Sequence, residues 1–132
     1  MITYAERACF REAHRRLFAR VEACIARVSD VWGNELRCHE LARAVHLVVF
    51  AREYKLVVID GHCGPIEHSW IRCSDGVILD AYVPGRLPSV QLIDPLVGIM
   101  YRPGSVRSDI RQPIVDRLVA QMQGIDQQHS RQ

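Results

Sequence analysis

In a chain of 132 residues with five cysteines, Cys38 has the setting that best suits a chemical role. It falls early in a helical pattern, where the positive end of the helix dipole favours a thiolate over a thiol. Thirty residues on, the stretch PIEHSWIRCSDGVILDAY (65–82) reads as two short apolar strands joined at Ser74-Asp75-Gly76, yet it carries His68 and Asp80. If those three residues form the loop, with Gly76 in the left-handed region, then Cys73 pairs with Val77, Trp70 with Asp80 and His68 with Tyr82. Opposed residues share a face, so His68, Trp70, Asp80 and Tyr82 lie together and His68 and Asp80 are diagonal neighbours. A two-residue loop at Asp75-Gly76 would put Asp80 on the opposite face. A carboxylate beside an imidazole fixes its tautomer and stabilises the imidazolium. The second ring nitrogen is then available to a thiol, and Cys38 is the candidate, delivered by a helix whose apolar face packs on this sheet.

The elements that must position these groups are readable from periodicity. Thr3 and Glu6 match a capping box, and Phe10, Leu17, Val21, Ile25 and Val28 continue at helical spacing, which predicts a helix over about 4–28. Its outer face carries Arg7, Arg11, Glu12, Arg15, Arg16 and Arg20, a solvated stripe of mixed sign without the aromatic interleaving of a nucleic-acid surface. Gly33 breaks the pattern and Asn34 is placed to cap a second helix over about 35–52, with Cys38, Leu41, Ala42, Val45, Val48 and Val49 on its apolar face. LVVID (56–60) is then a buried strand, GHCGP (61–65) a loop, SVQLI (89–93) a further strand after the bend at 84–88, and the segment around 96–107 a last strand ending at Arg102-Pro103-Gly104. A closing helix spans about 109–123, with Pro113 in its first turn, and the tail frays. The expectation is a single α+β domain over 1–132, helices packed on a small, mostly antiparallel sheet.

Composition excludes several classes. Apolar residues make 48% and charged residues 24%, an ordinary globular balance, and the net charge is only +2, which gives no electrostatic footprint for nucleic acid or an acidic membrane. No apolar run approaches the roughly 20 residues of a spanning helix, and the N-terminal stretch, charged from Glu6 onward, has no apolar h-region, so no signal peptide is expected. An odd number of cysteines with no CxxC pair argues against a disulfide scaffold. A cytoplasmic protein is expected, without cofactor, metal, nucleic-acid or membrane partner, and with homo-oligomerisation through the N-terminal helix as an open option.

The order Cys38, His68, Asp80, carried on NELRCHELARAV and EHSWIRCSDGVILDAY and on the helix, strand, strand sequence joining them, resembles the transglutaminase-like and papain-like cysteine hydrolase superfamily. The H-x-W pattern, the turn glycine and V-I-L-D are also similar to the small leader peptidases of lasso-peptide maturation. The likeness covers about 34–95. The chain departs from it in having Arg37 and His39 beside the cysteine, where many such enzymes place tryptophan or another bulky residue, and in the short spacing from Cys38 to His68. The resemblance implies a papain-like or transglutaminase-like core, Cys38 as nucleophile, His68 as general base and then acid, and Asp80 as orienting group. It also implies a thioester intermediate resolved by water or an amine, and a peptide or protein substrate. The oxyanion would be held by the Cys38 N–H with Asn34, and Trp70 and Tyr82 would line the pocket.

Two other readings stay open. His62, Cys63, His68 and Cys73, with Cys38 and His39, are residue types that bind zinc, although their spacing is irregular. A partner-binding or inhibitor protein would use the arginine helix as an interface, with Glu67, Arg86 and Tyr82 as surface contacts.

Overall fold

The computed structural model describes residues 14–28, 36–49, 55–81, 91–93 and 100–130. Within them the chain is α+β. The first described helix, α1 (Arg15–Ile25), buries Leu17, Val21, Cys24 and Ile25, the helical spacing the sequence carries. It ends at Ile25 rather than 28, and the Thr3–Glu6 capping box lies outside the described residues.

The second helix, α2 (Cys38–Val48), starts three residues later than expected, with Arg37 in extended backbone (φ −111°, ψ 148°) as its N-cap and no side-chain cap bond. Asn34 is therefore not the cap and itself lies outside the described residues. The first turn is instead held by two ion pairs to Glu40, one local and one long-range. Arg37 Nε donates to Glu40 Oε1 at 2.8 Å and its Nη2 donates to Oε2. From the approach to the closing helix, the Arg111 guanidinium donates to Glu40 Oε1 at 2.8 Å and its backbone N–H to Oε2 at 3.2 Å. This start makes Cys38 the first residue of the helix.

The sheet has five strands in the order β4-β3-β2-β1-β5, namely β1 (Val57–Cys63), β2 (Ile66–Arg72), β3 (Ile78–Asp80), β4 (Gln91–Ile93) and β5 (Tyr101–Pro103). All pairings are antiparallel. The expected loop at 61–65 is mostly strand: β1 runs through Cys63, which faces Ile66, and only Gly64 and Pro65 turn, with Gly64 at φ +60°. The extra strand residues are paired on their other side by β5, Gly61 with Pro103 and Cys63 with Tyr101. This long-range partner is what the local glycine signal in GHCGP does not reveal. The closing helix, α3 (Gln112–Ser130), begins after 109 and continues beyond 123. The core thus extends past the 34–95 segment to include β5 and α3.

The β2–β3 turn has the expected register, Ile71 opposite Leu79 and Arg72 opposite Ile78. Cys73 N–H donates to Val77 O at 2.9 Å, and Gly76 takes φ +87°, a conformation that costs glycine least. One apolar cluster joins Leu17 and Val21 of α1, Leu41 and Val45 of α2, and Leu118 and Met122 of α3 to Ile71, Cys73, Val77 and Leu79 of the sheet. Strand alternation sends those sheet residues to one face and His68, Trp70 and Asp80 to the other. The expected sharing of a face by His68 and Asp80 is thus present, but the apolar stripe of α2 packs on the opposite face. Contact with the thiol is made by the helix's first residue, not by its stripe.

Candidate active site

His68 and Asp80 are the centre of the site. The ring Nε2 lies 2.8 Å from Asp80 Oδ2, with the side chains only 2% and 0% exposed. A carboxylate only accepts, so Nε2 carries the proton in this bond, which leaves Nδ1 as the nitrogen able to exchange a proton with a thiol. The same Oδ2 accepts the Tyr101 hydroxyl at 2.6 Å. Tyr101 is a site residue that spacing gives no reason to choose, because β5 reaches the site only through pairing with β1. Burial and the adjacent Asp80 carboxylate push the Tyr101 hydroxyl pKa far up, so it stays a donor.

Trp70 was expected in a pocket wall. It is 2% exposed, stacks on His68 at a centroid distance of 6.0 Å and meets Tyr101 edge-on at 5.2 Å. Its position is behind the imidazole, holding the ring plane, and it offers almost no surface to a ligand. Tyr82, like Asn34, lies outside the described residues.

Cys38 is half-buried at the start of α2, in contact with His39 and electrostatically coupled to His68. Burial opposes ionisation of its thiol, but hydrogen bonds from His39 and His68 and their positive charge prevail and bring it down to about 6. Burial likewise opposes charge on His68, yet its bond to Asp80, its bond to Cys38 and both negative charges raise it to about 9. Around neutral pH the two therefore form a thiolate–imidazolium pair.

Sequence reasoning did not place His39 in this site. Its Nδ1 is 3.6 Å from Cys38 Sγ and 2.7 Å from Ser69 Oγ. Ser69 Oγ donates onward to Asp60 Oδ1 at 2.6 Å, so it must accept from His39, which fixes the proton on Nδ1. Asp60 is held in turn by both Nη atoms of Arg43, at 3.0 and 2.5 Å, and by the Arg107 N–H at 3.0 Å. Burial opposes the charge on Asp60, but the bonds from Arg43, Ser69 and Arg107 keep its carboxyl at about 2. The Nδ1–H of His39 is thus directed chiefly at Ser69, with the sulfur a longer second partner, and Nδ1 cannot take the thiol proton. Of the two histidines beside Cys38, His68 is the one positioned as a base.

The remaining described cysteines differ. None of Cys24, Cys38, Cys63 and Cys73 is in a disulfide. Burial, then the Asp80 charge, raises the pKa of Cys63, and burial, then Asp75, raises that of Cys73 to about 11. Cys38 stands apart by its charge environment.

Fold and site together define an α+β domain in which a helix-initiating cysteine meets a buried histidine–carboxylate pair. Comparison of the chain with family models, with curated proteins and with solved structures finds no match. No described helix is long and apolar enough to cross a membrane.

Proposed function

We propose that the protein is a cysteine hydrolase or acyltransferase that acts on an amide or peptide bond of a peptide or protein substrate. The observation that carries this reading is the electrostatic coupling of the Cys38 thiol to the imidazole of His68, whose Nε2 is fixed 2.8 Å from Asp80 Oδ2. The order of these residues and their similarity to transglutaminase-like and papain-like enzymes, including small leader peptidases, support the same reading. Undisulfided thiols fit a reducing, cytoplasmic setting.

The Cys38 thiolate attacks the acyl carbon, forming a C–S bond and an oxyanion. Cys38 opens α2, so its N–H has no intrahelical acceptor and is available to that oxyanion. His68 Nδ1–H then gives its proton to the leaving amine as the C–N bond breaks, and a thioester remains on Cys38. Water, or an acceptor amine, passes a proton back to His68 while attacking the thioester, which releases the acyl product and restores the ion pair. Asp80 keeps the ring in its working tautomer throughout.

The test is iodoacetamide labelling at neutral pH and, on a separate unalkylated sample, treatment with an activated acetyl ester, each followed by mass analysis of the peptide bearing Cys38. Cys38 is expected to alkylate well ahead of the other cysteines and to carry the acetyl group, with both signals strongly reduced in His68→Ala. Equal, slow labelling of all five thiols would remove the proposal.

A further inference from the structure

Among the described residues, one group of three metal-donor side chains converges: His14, Cys73 and Asp75, with one donor atom of each within 4.8 Å of the others. We infer that these three residues form a site for a divalent transition metal of the zinc class, which ties the start of α1 to the β2–β3 turn. The inference does not depend on the proposed hydrolase activity. It revises the expectation of no metal, and its donors differ from the His62–Cys63–His68–Cys73 set that the sequence offered.

The donor set is one thiolate, one imidazole and one carboxylate. That mixture suits zinc or cobalt far better than magnesium or calcium, which take oxygen donors. A thiolate and a carboxylate also neutralise the two charges of the ion. Three protein ligands leave a fourth position for water. The half-exposed Asp75 side chain (50%) gives a path of entry, while His14 and Cys73 are 4% and 1% exposed.

The donors are also held in place. His14 Nε2 and Asp75 Oδ2 lie 3.0 Å apart, closer than two ligands of one ion, so binding replaces this bond by a small separation of the two atoms. The Val77 N–H donates to the other oxygen, Asp75 Oδ1, at 3.2 Å, which aims Oδ2 inward. Cys73 is fixed by its N–H bond to Val77 O and by accepting from Gly76 N–H at 3.0 Å. Coordination releases the Cys73 thiol proton to solvent and forms one metal–sulfur bond.

The location points to a structural role. Cys73 is five residues from His68, about 17 Å along a strand rising about 3.3 Å per residue. A metal there clamps the turn that sets the pairing of β2 with β3, and hence the placement of Asp80 beside His68, without touching the thiol of Cys38.

The experiment titrates metal-free, reduced protein with Co2+ and Zn2+ in a Cys38→Ser background, so that the candidate active site contributes no thiolate. The expected result is one equivalent of Co2+ with a cobalt–thiolate charge-transfer band, displaced by Zn2+, and a higher melting temperature with Zn2+. Adding Cys73→Ser should abolish the band. Asp75→Asn keeps an oxygen for the Val77 N–H, so it tests ligation in a turn that remains folded. It should weaken binding by more than the roughly 10- to 100-fold typical of losing a supporting hydrogen bond. Absence of the band in protein shown to be folded by circular dichroism would overturn the inference and leave the hydrolase proposal standing. A band that survives Cys73→Ser, or affinity unchanged in Asp75→Asn, would overturn it as well. A band present only when Cys38 is intact would put the metal at Cys38 and count against both proposals.

Discussion

The Nε2 atom of His68 lies 2.8 Å from Asp80 Oδ2, with both side chains sealed from solvent. At that depth the carboxyl group must be hydrogen-bonded, and Tyr101 supplies the second bond to the same oxygen. In Asp80→Asn the side-chain amide cannot hold a buried imidazolium. His68 should lose its raised affinity for a proton, and the Cys38 thiol should lose its charge partner. Turnover of any acyl substrate should fall by about 10²-fold or more, the scale of a lost acid–base function. The thiol's reactivity midpoint should move upward, whereas a purely structural carboxylate would lower stability and leave that midpoint in place.

The two shifts define a pH window. The thiol ionises near 6 and His68 holds its proton to about 9. As pH rises through about 6, alkylation of Cys38 should increase to a plateau, where an ordinary thiol would still be rising toward 9. Acyl transfer needs both the thiolate and the imidazolium, so its rate should follow a bell with limbs near 6 and 9. Stopped-flow alkylation and turnover measured over this range check both limbs. A single alkylation midpoint near 9 would show that the pair does not form.

How much of this was readable without coordinates depends on whether the cause was local. The register of the β2–β3 turn was, because Gly76 and the alternation around it specify a three-residue loop within a few residues of chain. So were the buried stripes of α1 and α2. The start of α2 was not, because Glu40 is held by Arg37, three residues away, and by Arg111, 71 residues away; Asn34 merely had the right local chemistry. Nor was the role of Tyr101 legible, since it depends on β5 pairing with β1. Periodicity correctly put His68 and Asp80 on one face, but it cannot say which face of a sheet the helices will cover. The apolar stripe of α2 took the Ile71–Leu79 face. Ser69 and Asp60 read as ordinary polar strand positions until His39 is seen beside the sulfur.

Glu40 should be a principal determinant of where Cys38 points. It is fully buried between Arg37 and Arg111. Burial opposes its charge, but the bonds from Arg37 and Arg111 hold the carboxyl at about 2, below its ordinary 4.5. A depressed carboxylate pKa adds stability that is fully present above about 4.5 and is lost as pH falls through about 2. Glu40→Gln should therefore cost about 3 kcal/mol at pH 7, the low end for breaking a buried pair, because both arginines are partly exposed and can rehydrate. The deficit relative to the parent should shrink as pH drops below about 4.5. Urea denaturation at pH 7 and pH 3 gives both values, with an unchanged m-value as the control for two-state unfolding.

His39 and His68 should separate by substitution. Ser69→Ala removes the acceptor that keeps the His39 proton on Nδ1, so the imidazole can turn an unprotonated nitrogen toward the sulfur. The expected change is a several-fold loss of Cys38 reactivity at pH 7, on the scale of about 1 kcal/mol for one hydrogen bond, with the bell-shaped profile kept. His68→Ala should remove the high-pH limb of the profile along with most of the rate. Equal effects from the two variants would mean that His39 shares the base function.

Gly61 tests whether β5 serves the site. A Cβ at this position would stand 2.1 Å from Arg102 O and 2.9 Å from Gly104 N, both backbone atoms that cannot swing aside. Gly61→Ala must therefore push β5 away from β1, and with it Tyr101, which pairs with Cys63 two residues along. Tyr101→Phe removes only the hydroxyl. It should cost about 1.5–3 kcal/mol, as for a hydrogen bond to a charged group. Gly61→Ala should match that loss of the Asp80 bond and add about 1–3 kcal/mol of overpacking strain. In both variants the high-pH limb of the activity profile, set by His68, should shift, because Asp80 then relies on fewer donors and binds the imidazolium more strongly. The shift should be toward higher pH, while amide exchange across β1 and β5 accelerates only in Gly61→Ala. An unshifted limb in Tyr101→Phe would mean that the hydroxyl braces β5 without tuning the pair.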